Sequence, residues 1–206
     1  MRRTRVKICG IRQLEDALTA IELGADALGF NFYEKSQRFI EPVMAAKIRK
    51  ALPPFVSIVA LVVDQEPEEI TDIIRTVGPD LIQFHGEEEN SYCRSFGLPF
   101  LKVIRLPAQQ PLPKLLDAWP DAAGLLLDTR VKGMAGGTGQ VFDWSLVPRN
   151  LPKPLILAGG LNATNVGEAI AHLSPYAVDV SSGVETGGFK DTQKMSDFMA
   201  AVKDAV

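Results

Sequence analysis

The sequence predicts an α/β fold, a single compact (β/α)8 barrel of the TIM-barrel class spanning residues 1–206. Two observations predict it. Short β-rich apolar runs alternate with segments of helical period from end to end, and no Ser/Gly/Pro-rich linker or charge block divides the chain. The predicted strands recur about every 24 residues, enough for one strand, one helix and their loops. They begin near Val6, Ala27, Phe55, Leu81, Phe100, Gly124, Pro154 and Ala177.

Several predicted strands are nearly continuous apolar runs, as at residues 6–9, 81–84, 125–128 and 177–180. Strands that other layers cover on both faces have this composition. The alternative arrangement is a doubly wound open sheet, which needs only about five or six strands and favours a G-x-G-x-x-G turn after the first. Here the first strand ends in Cys9-Gly10-Ile11 without that turn. Strand number and this absence favour the barrel.

Apolar residues at i, i+3, i+4 and i+7 predict four amphipathic helices, within residues 14–21, 70–77, 166–173 and 195–202. Gly24 is a predicted C-cap of the first, and Asn162 is a candidate N-cap of the third. Shorter helix candidates lie at residues 112–117 and 144–148.

The segments that lead into the strands also repeat. Gly24-Ala25-Asp26 precedes the second predicted strand and Gly78-Pro79-Asp80 the fourth, with a looser copy at residues 121–128. The repetition indicates one βα unit used many times.

Composition narrows the function classes. The formal net charge is −3 and 46% of the residues are hydrophobic, as in a soluble globular protein. This mild acidity argues against a nucleic-acid or membrane-surface binder. The two cysteines, Cys9 and Cys93, make no disulfide framework, and the basic amino terminus is not followed by an apolar stretch of signal-peptide length. A cytoplasmic location is therefore expected.

A barrel of this class carries its active site at the carboxyl ends of the strands. Gly159-Gly160 and Ser182-Gly183 follow the last two predicted strands. Such loops let backbone N–H groups approach a phosphate, and they are the usual phosphate site of the fold. The alternative is that the glycines only make tight turns. We expect them to bind the phosphate of a small phosphorylated substrate.

Cys9 and Asp128 end the first and sixth predicted strands, three positions apart around a closed ring of eight. From there their side chains are expected to reach one ligand from two sides. A thiolate is a good base when a cation lowers its pKa, and Lys7 lies on the same side of the first strand. The alternatives are a buried small hydrophobe for Cys9 and a turn cap for Asp128.

Further substrate-binding candidates lie in the loops. Arg38 follows the second strand, where its planar fork suits a bidentate carboxylate, although a surface ion pair is the simpler explanation. His85 follows the fourth strand and is expected to orient or protonate a ligand unless its role is structural. Gly139 belongs to a glycine-rich segment, residues 132–140, that is expected to close over ligand or to be a plain connection. Two histidines and two cysteines, widely spaced, indicate no metal site.

At these residues the sequence resembles the phosphoribosylanthranilate isomerase family of tryptophan biosynthesis. The matching motifs agree in order and spacing along nearly the whole chain. They are Lys7-Ile8-Cys9-Gly10-Ile11, Gly29-Phe30-Asn31-Phe32, Ser36-Gln37-Arg38, Gln83-Phe84-His85-Gly86, Leu127-Asp128-Thr129, Gly136-Gly137-Thr138-Gly139, Phe142-Asp143-Trp144, Leu157-Ala158-Gly159-Gly160-Leu161, residues 179–185, Gly188, Lys190 and Asp191.

The resemblance implies an Amadori rearrangement of N-(5'-phosphoribosyl)anthranilate to 1-(2-carboxyphenylamino)-1-deoxyribulose 5-phosphate. It places the general base on Cys9, the general acid on Asp128 and the ligand-carboxylate arginine on Arg38. No redox cofactor or metal is implied, and both monomers and homodimers occur in the family. The sequence departs from the family pattern at Gln37, where a proline is usual, and in the third strand, at residues 59–63.

Two alternatives stay open at this point. Another phosphosugar isomerase or epimerase would use the same barrel, but an epimerase predicts metal dependence and the aminoimidazole-carboxamide ribotide isomerase predicts aspartate at position 9. A catalytically inactive barrel would bind a phosphorylated ligand or a protein without turning it over.

Overall fold

The predicted barrel is confirmed. The structure is a computed structural model that describes residues 3–105, 118–128, 147, 151 and 153–205. Eight parallel strands close in chain order, with the last paired to the first. They are β1 (Arg5–Cys9), β2 (Ala27–Asn31), β3 (Ser57–Val62), β4 (Leu81–Phe84), β5 (Phe100–Arg105), β6 (Gly124–Asp128), β7 (Leu155–Ala158) and β8 (Ala177–Val180).

Helices cover the outside of the strands. Those in the described residues are α1 (Leu14–Glu22), α2 (Pro42–Ala51), α3 (Pro67–Val77), α4 (Asn90–Arg94), α5 (Val166–Leu173) and α6 (Thr192–Asp204). All four predicted helices are confirmed, whereas α2 and α4 were not predicted. A 3-10 turn (Ser182–Val184) and a short hairpin, β9 (Glu185–Thr186) and β10 (Phe189–Lys190), follow β8. The candidates at 112–117 and 144–148 lie outside the described residues, apart from Val147.

Asn162 is not the N-cap of the helix it precedes, which corrects the prediction. Helix α5 begins at Val166 and its N-cap is Asn165. The Asn162 side chain instead accepts the backbone N–H of Thr164 at 2.8 Å and forms a local turn. A short polar side chain satisfies either position, so sequence alone does not separate them.

Alternate strand residues pack into two apolar layers. Leu101 and Val103 of β5 belong to a cluster with residues of β6, β7 and β8, whereas Phe100 and Ile104 pack with the helices. This period of two is expected when one strand face points into the barrel and the other toward the helical shell.

The repeated segment before the strands has a structural cause. The backbone N–H of Asp26 donates to the Val6 carbonyl at 2.8 Å, and its carboxylate accepts the Val6 N–H at 2.9 Å. Asp80 makes the same two bonds with Ile58, at 2.9 and 2.7 Å. In the looser third copy Ala123 keeps the backbone bond to β5, at 2.8 Å, without a carboxylate. The aspartate therefore accepts the amide of the second residue of the neighbouring strand.

We expect Asp80→Ala to lower the free energy of unfolding by about 1–3 kcal/mol, since it leaves the Ile58 N–H without its acceptor. Asp80→Asn keeps an acceptor oxygen and should retain most of that stability. Urea unfolding followed by circular dichroism measures both. The control is Asp72→Ala, which removes only an exposed pair with Arg75 and should change stability by less than about 0.5 kcal/mol. Equal losses in the Ala and Asn variants would contradict the capping role.

Candidate active site

The carboxyl ends of the parallel strands bring most of the predicted site residues to one face of the barrel. Cys9 ends β1 and Asp128 ends β6, while Arg38 lies in the loop after β2. The predicted residues that follow β4, β7 and β8 on the same face are His85, Gly159, Gly160, Ser182 and Gly183. Gly139 lies outside the described residues.

Lys7 and Cys9 point into the barrel from alternate positions of β1. Lys7 is buried and its Nζ lies 2.9 Å from Oδ1 of Asp179, its register neighbour on β8. On the other side, Gly29 of β2 pairs with Cys9, and a Cβ added to Gly29 would lie 2.9 Å from the Cys9 Sγ and 3.0 Å from the Lys7 Nζ. The thiol and the ammonium group therefore lie together over Gly29, in space that any larger residue would fill.

Burial and charge act in opposite directions on the thiol. Cys9 is 6% exposed. Burial raises the pKa of Cys9 above its ordinary value, and the charges of Lys7 and Lys190 offset only part of that rise. Burial also disfavours the charged form of Lys7, but Asp179 and Cys9 raise its pKa overall. At neutral pH the free protein therefore holds an ammonium beside a mostly protonated thiol.

Arg38 is held by an acidic residue of the chain itself. Its Nε donates to Oε1 of Glu185 at 2.8 Å and its Nη2 donates to Oε2 at 2.6 Å. Lys190 Nζ donates to the same Oε1 at 2.7 Å. Burial alone would raise the pKa of Glu185, but the hydrogen bonds and charges of Arg38 and Lys190 lower it to about 2. The carboxylate is ionised at every pH of interest.

The loop that carries Arg38 is fixed without a proline at position 37. The Ser36 hydroxyl accepts the Arg38 backbone N–H at 3.1 Å and the Asn31 side-chain amide at 3.0 Å. The carbonyl of Gln37 accepts from Arg12 at 2.8 Å, and the same guanidinium donates to Gly188 in the loop after β8. Side-chain hydrogen bonds to the backbone thus stabilise the loop.

Asp128 lies next to an oriented histidine. The Nε2 of His85 is 3.6 Å from the Asp128 Oδ2, and the Gln83 Nε2 is 3.4 Å from the His85 Nδ1. With the Gln83 amide as donor, Nδ1 is the acceptor, and the Nε2 edge of the ring faces the carboxylate. Gln83 is fully buried, and its Oε1 has no hydrogen-bond partner in the described part of the chain.

The two predicted phosphate loops contact each other. Gly159 and Gly160 have φ of 90° and 70°, in the left-handed region that glycine adopts without strain. A Cβ on Gly183 would collide with the carbonyl oxygen of Leu161 in the loop after β7. This close approach requires glycine at position 183 and joins the two loops into one surface.

Several residues of these networks have no individual role that the sequence predicts: Arg12, Gln83, Asp179, Glu185 and Lys190. Lys7, a charged residue inside an apolar strand, signalled that a partner exists, because a buried ammonium needs one. Nothing in the sequence specified Asp179 as that partner, 172 residues away.

Among the residues described, no group of three or more histidines, cysteines, aspartates or glutamates is placed to hold a metal ion. The described helices include none with the length and apolarity needed to cross a membrane.

A closed barrel that places a thiol beside a lysine, a carboxylate beside a histidine and two contacting glycine loops on one face has the architecture of an acid–base enzyme of the TIM-barrel class. The family model described as N-(5'phosphoribosyl)anthranilate (PRA) isomerase matches residues 6–201. The chain belongs to this family.

Individual relatives agree over nearly their full length. The N-(5'-phosphoribosyl)anthranilate isomerase of Pseudomonas fluorescens strain Pf0-1 is 50% identical over 98% of this chain and 100% of its own. The crystal structure of the Thermotoga maritima enzyme has a TM-score of 0.90 and 43% identity, covering 98% of this chain and 99% of that one. Another phosphoribosylanthranilate isomerase, solved with reduced 1-(o-carboxyphenylamino)-1-deoxyribulose 5-phosphate, has a TM-score of 0.85 and 41% identity over the same shares.

Gly29→Ala tests the packing of the thiol and the ammonium. The new methyl group forces Cys9 or Lys7 to move, and we expect kcat on N-(5'-phosphoribosyl)anthranilate to fall by about tenfold or more, since misplacement of a reacting group by about 1 Å can cost up to about 10²-fold. Steady-state kinetics measures the effect. Gly167→Ala on α5 is the matched control, because its Cβ would lie 3.9 Å from the nearest side chain. Unchanged kcat in Gly29→Ala would show that the close approach is unimportant for turnover.

Proposed function

We propose that Cys9 is the general base and Asp128 the general acid in the isomerisation of N-(5'-phosphoribosyl)anthranilate, the reaction for which the family is named. The observation that carries the proposal is their placement. They end β1 and β6 on one face of one barrel, Cys9 beside Lys7 and Asp128 beside His85.

In the first step Asp128 protonates the furanose ring oxygen. The C1'–O bond breaks while the nitrogen lone pair forms a C1'=N bond, which gives an open-chain protonated Schiff base. Donation from Asp128 requires a protonated carboxyl group in the complex.

In the second step the Cys9 thiolate removes the proton from C2'. The electron pair forms a C1'=C2' bond and the iminium nitrogen is neutralised, so the nitrogen serves as the electron sink. The resulting enolamine tautomerises to the ketone. This sequence of proton transfers calls for no metal and no redox cofactor.

The remaining predicted residues hold the two ends of the substrate. Arg38 binds the ring carboxylate, and the surface formed by Gly159, Gly160, Ser182 and Gly183 binds the phosphate. His85 is proposed to contact the substrate next to Asp128, and Lys7 is proposed to contact it next to Cys9. We also keep as a proposal the contact by Gly139, in the segment at residues 132–140.

The oligomeric state of the chain, its number of domains and its location in the cell belong to the same proposal. The chain is proposed to be a single domain over residues 1–206, located in the cytoplasm, where its two free cysteines stay reduced. A Thermotoga maritima relative is described as a dimeric phosphoribosylanthranilate isomerase, and the solved structure is of monomers generated from it. We propose that this chain is a monomer or a homodimer.

Cys9→Ala and Asp128→Ala should each lower kcat by at least about 10²-fold, the usual contribution of a positioned acid or base. Steady-state turnover measures this. Cys93→Ala is the control, because that thiol is buried on α4, away from the site, and should leave turnover nearly unchanged. Near wild-type kcat in either site variant would remove that residue from its role. A wild-type protein that binds the substrate without converting it would be the inactive barrel.

The pH dependence of kcat/KM tests the base. Because only the thiolate accepts a proton and burial raises the pKa of Cys9, kcat/KM should rise with pH above neutrality. Asp179 contributes to that raised pKa, so Asp179→Asn, which still accepts from Lys7, should move the rising limb to lower pH. The exposed Glu22→Gln serves as control and should not move it. A limb that stays in place or moves upward in Asp179→Asn contradicts the assignment.

A further inference from the structure

We propose that Glu185 is a positioning residue that aims Arg38 at the carboxylate of the substrate. This inference rests on the proposed function, since it presumes a ligand carboxylate at Arg38. It adds a specificity element to the site, because Glu185 would act only on ligands that carry that group.

The contacts fix the guanidinium in one plane. Glu185 accepts two parallel hydrogen bonds, from Nε at 2.8 Å and from Nη2 at 2.6 Å. The pair is shielded, with 17% of the Arg38 side chain and 6% of the Glu185 side chain exposed. Bidentate, desolvated pairs of this kind add geometric specificity as well as energy.

The edge of the Arg38 guanidinium that Glu185 occupies determines which edge remains for a ligand. Nε and Nη2 form the side of the fork, so the end, formed by Nη1 and the second Nη2 hydrogen, is left for another planar anion. In the described part of the chain no hydrogen bond engages Nη1 of Arg38. The geometry therefore lets one arginine hold two carboxylates, Glu185 from the side and a ligand from the end.

Two further contacts hold the Arg38–Glu185 pair near the Cys9 thiol. A Cβ on Gly10 would lie 2.6 Å from the Arg38 Cδ, so the arginine stem packs against the residue that follows Cys9. Lys190 Nζ anchors Glu185 at 2.7 Å and also donates to the carbonyl of Ser181 at 3.2 Å. Glu185 is thus fixed to the end of β8 and brings Arg38 to it, 147 residues away in sequence.

A competing role for Glu185, in which it blocks Arg38, predicts the opposite change in ligand affinity. If the two carboxylates competed for the same edge of Arg38, Glu185 would weaken the binding of an acidic ligand and its removal would tighten it. Positioning predicts that removal weakens binding, and only for ligands that possess the carboxylate.

The test uses two ligands and equilibrium binding. One is reduced 1-(o-carboxyphenylamino)-1-deoxyribulose 5-phosphate, and the other is the same compound with hydrogen in place of the ring carboxylate. Isothermal titration calorimetry on the full chain gives the ratio of their dissociation constants for the wild type, Glu185→Gln and the exposed control Glu22→Gln, which makes the same change in charge.

We expect the preference for the carboxylated ligand to fall by about tenfold in Glu185→Gln, the scale of a weakened charged hydrogen bond, and to be unchanged in Glu22→Gln. A fall of more than about threefold supports positioning. A smaller fall, no change or a stronger preference overturns it. A purely structural role would weaken both ligands equally and leave the ratio unchanged.

If Glu185→Gln does not fold, Glu185→Asp replaces it, because the shorter side chain keeps the charge but cannot make both bonds to Arg38 in place. The same criterion for the ratio applies to that variant. Turnover is not the readout, so failure of the acid and base assignment would appear in the kcat of the Cys9 and Asp128 variants and not in these ratios.

Discussion

The buried ion pair between Lys7 and Asp179 is the interaction on which the site depends. It joins β1 to β8, the two strands that close the barrel, with Nζ and Oδ1 2.9 Å apart and both residues less than a tenth exposed. Loss of one partner of such a pair leaves an uncompensated buried charge and typically costs about 3–5 kcal/mol. Because the same Nζ lies over Gly29 beside the Cys9 thiol, closure of the barrel and the electrostatics of the proposed base share one contact.

The proposed acid, Asp128, and the proposed base, Cys9, lie in different polar networks. The charged groups that act on Cys9 come from β1, β8 and the hairpin that follows, whereas Asp128 lies beside His85 at the end of β4. The two tasks need opposite environments, since a base must ionise and an acid must hold its proton. Placing them on strands three positions apart lets each environment be set by its own neighbours. The barrel supplies that separation while keeping both groups on one face.

The sequence predicts the periodic features well and the long-range pairings poorly. Seven predicted strand starts fall within one residue of the observed ones, and Phe55 lies two residues before β3. Helix α2 escaped prediction because its buried residues are few and Val43 and Met44 point outward. Cys9, Asp128 and the glycine loops were identifiable because each ends a strand, which is a local property. The bonds of Glu185 were not, because they form only when closure brings β8 next to β1.

The charge balance around Cys9 connects the two chemical steps. Three cations and two carboxylates gather there, Lys7, Lys190, Arg38, Asp179 and Glu185, which leaves one positive charge for one anion. A substrate carboxylate at Arg38 would take that charge and oppose ionisation of the thiol. In the proposed mechanism, ring opening by Asp128 then creates an iminium cation next to C2', which restores the excess of positive charge near Cys9. On that mechanism, ionisation of Cys9 is favoured after the proposed acid has acted, so the proposed base becomes effective in the order that the rearrangement requires.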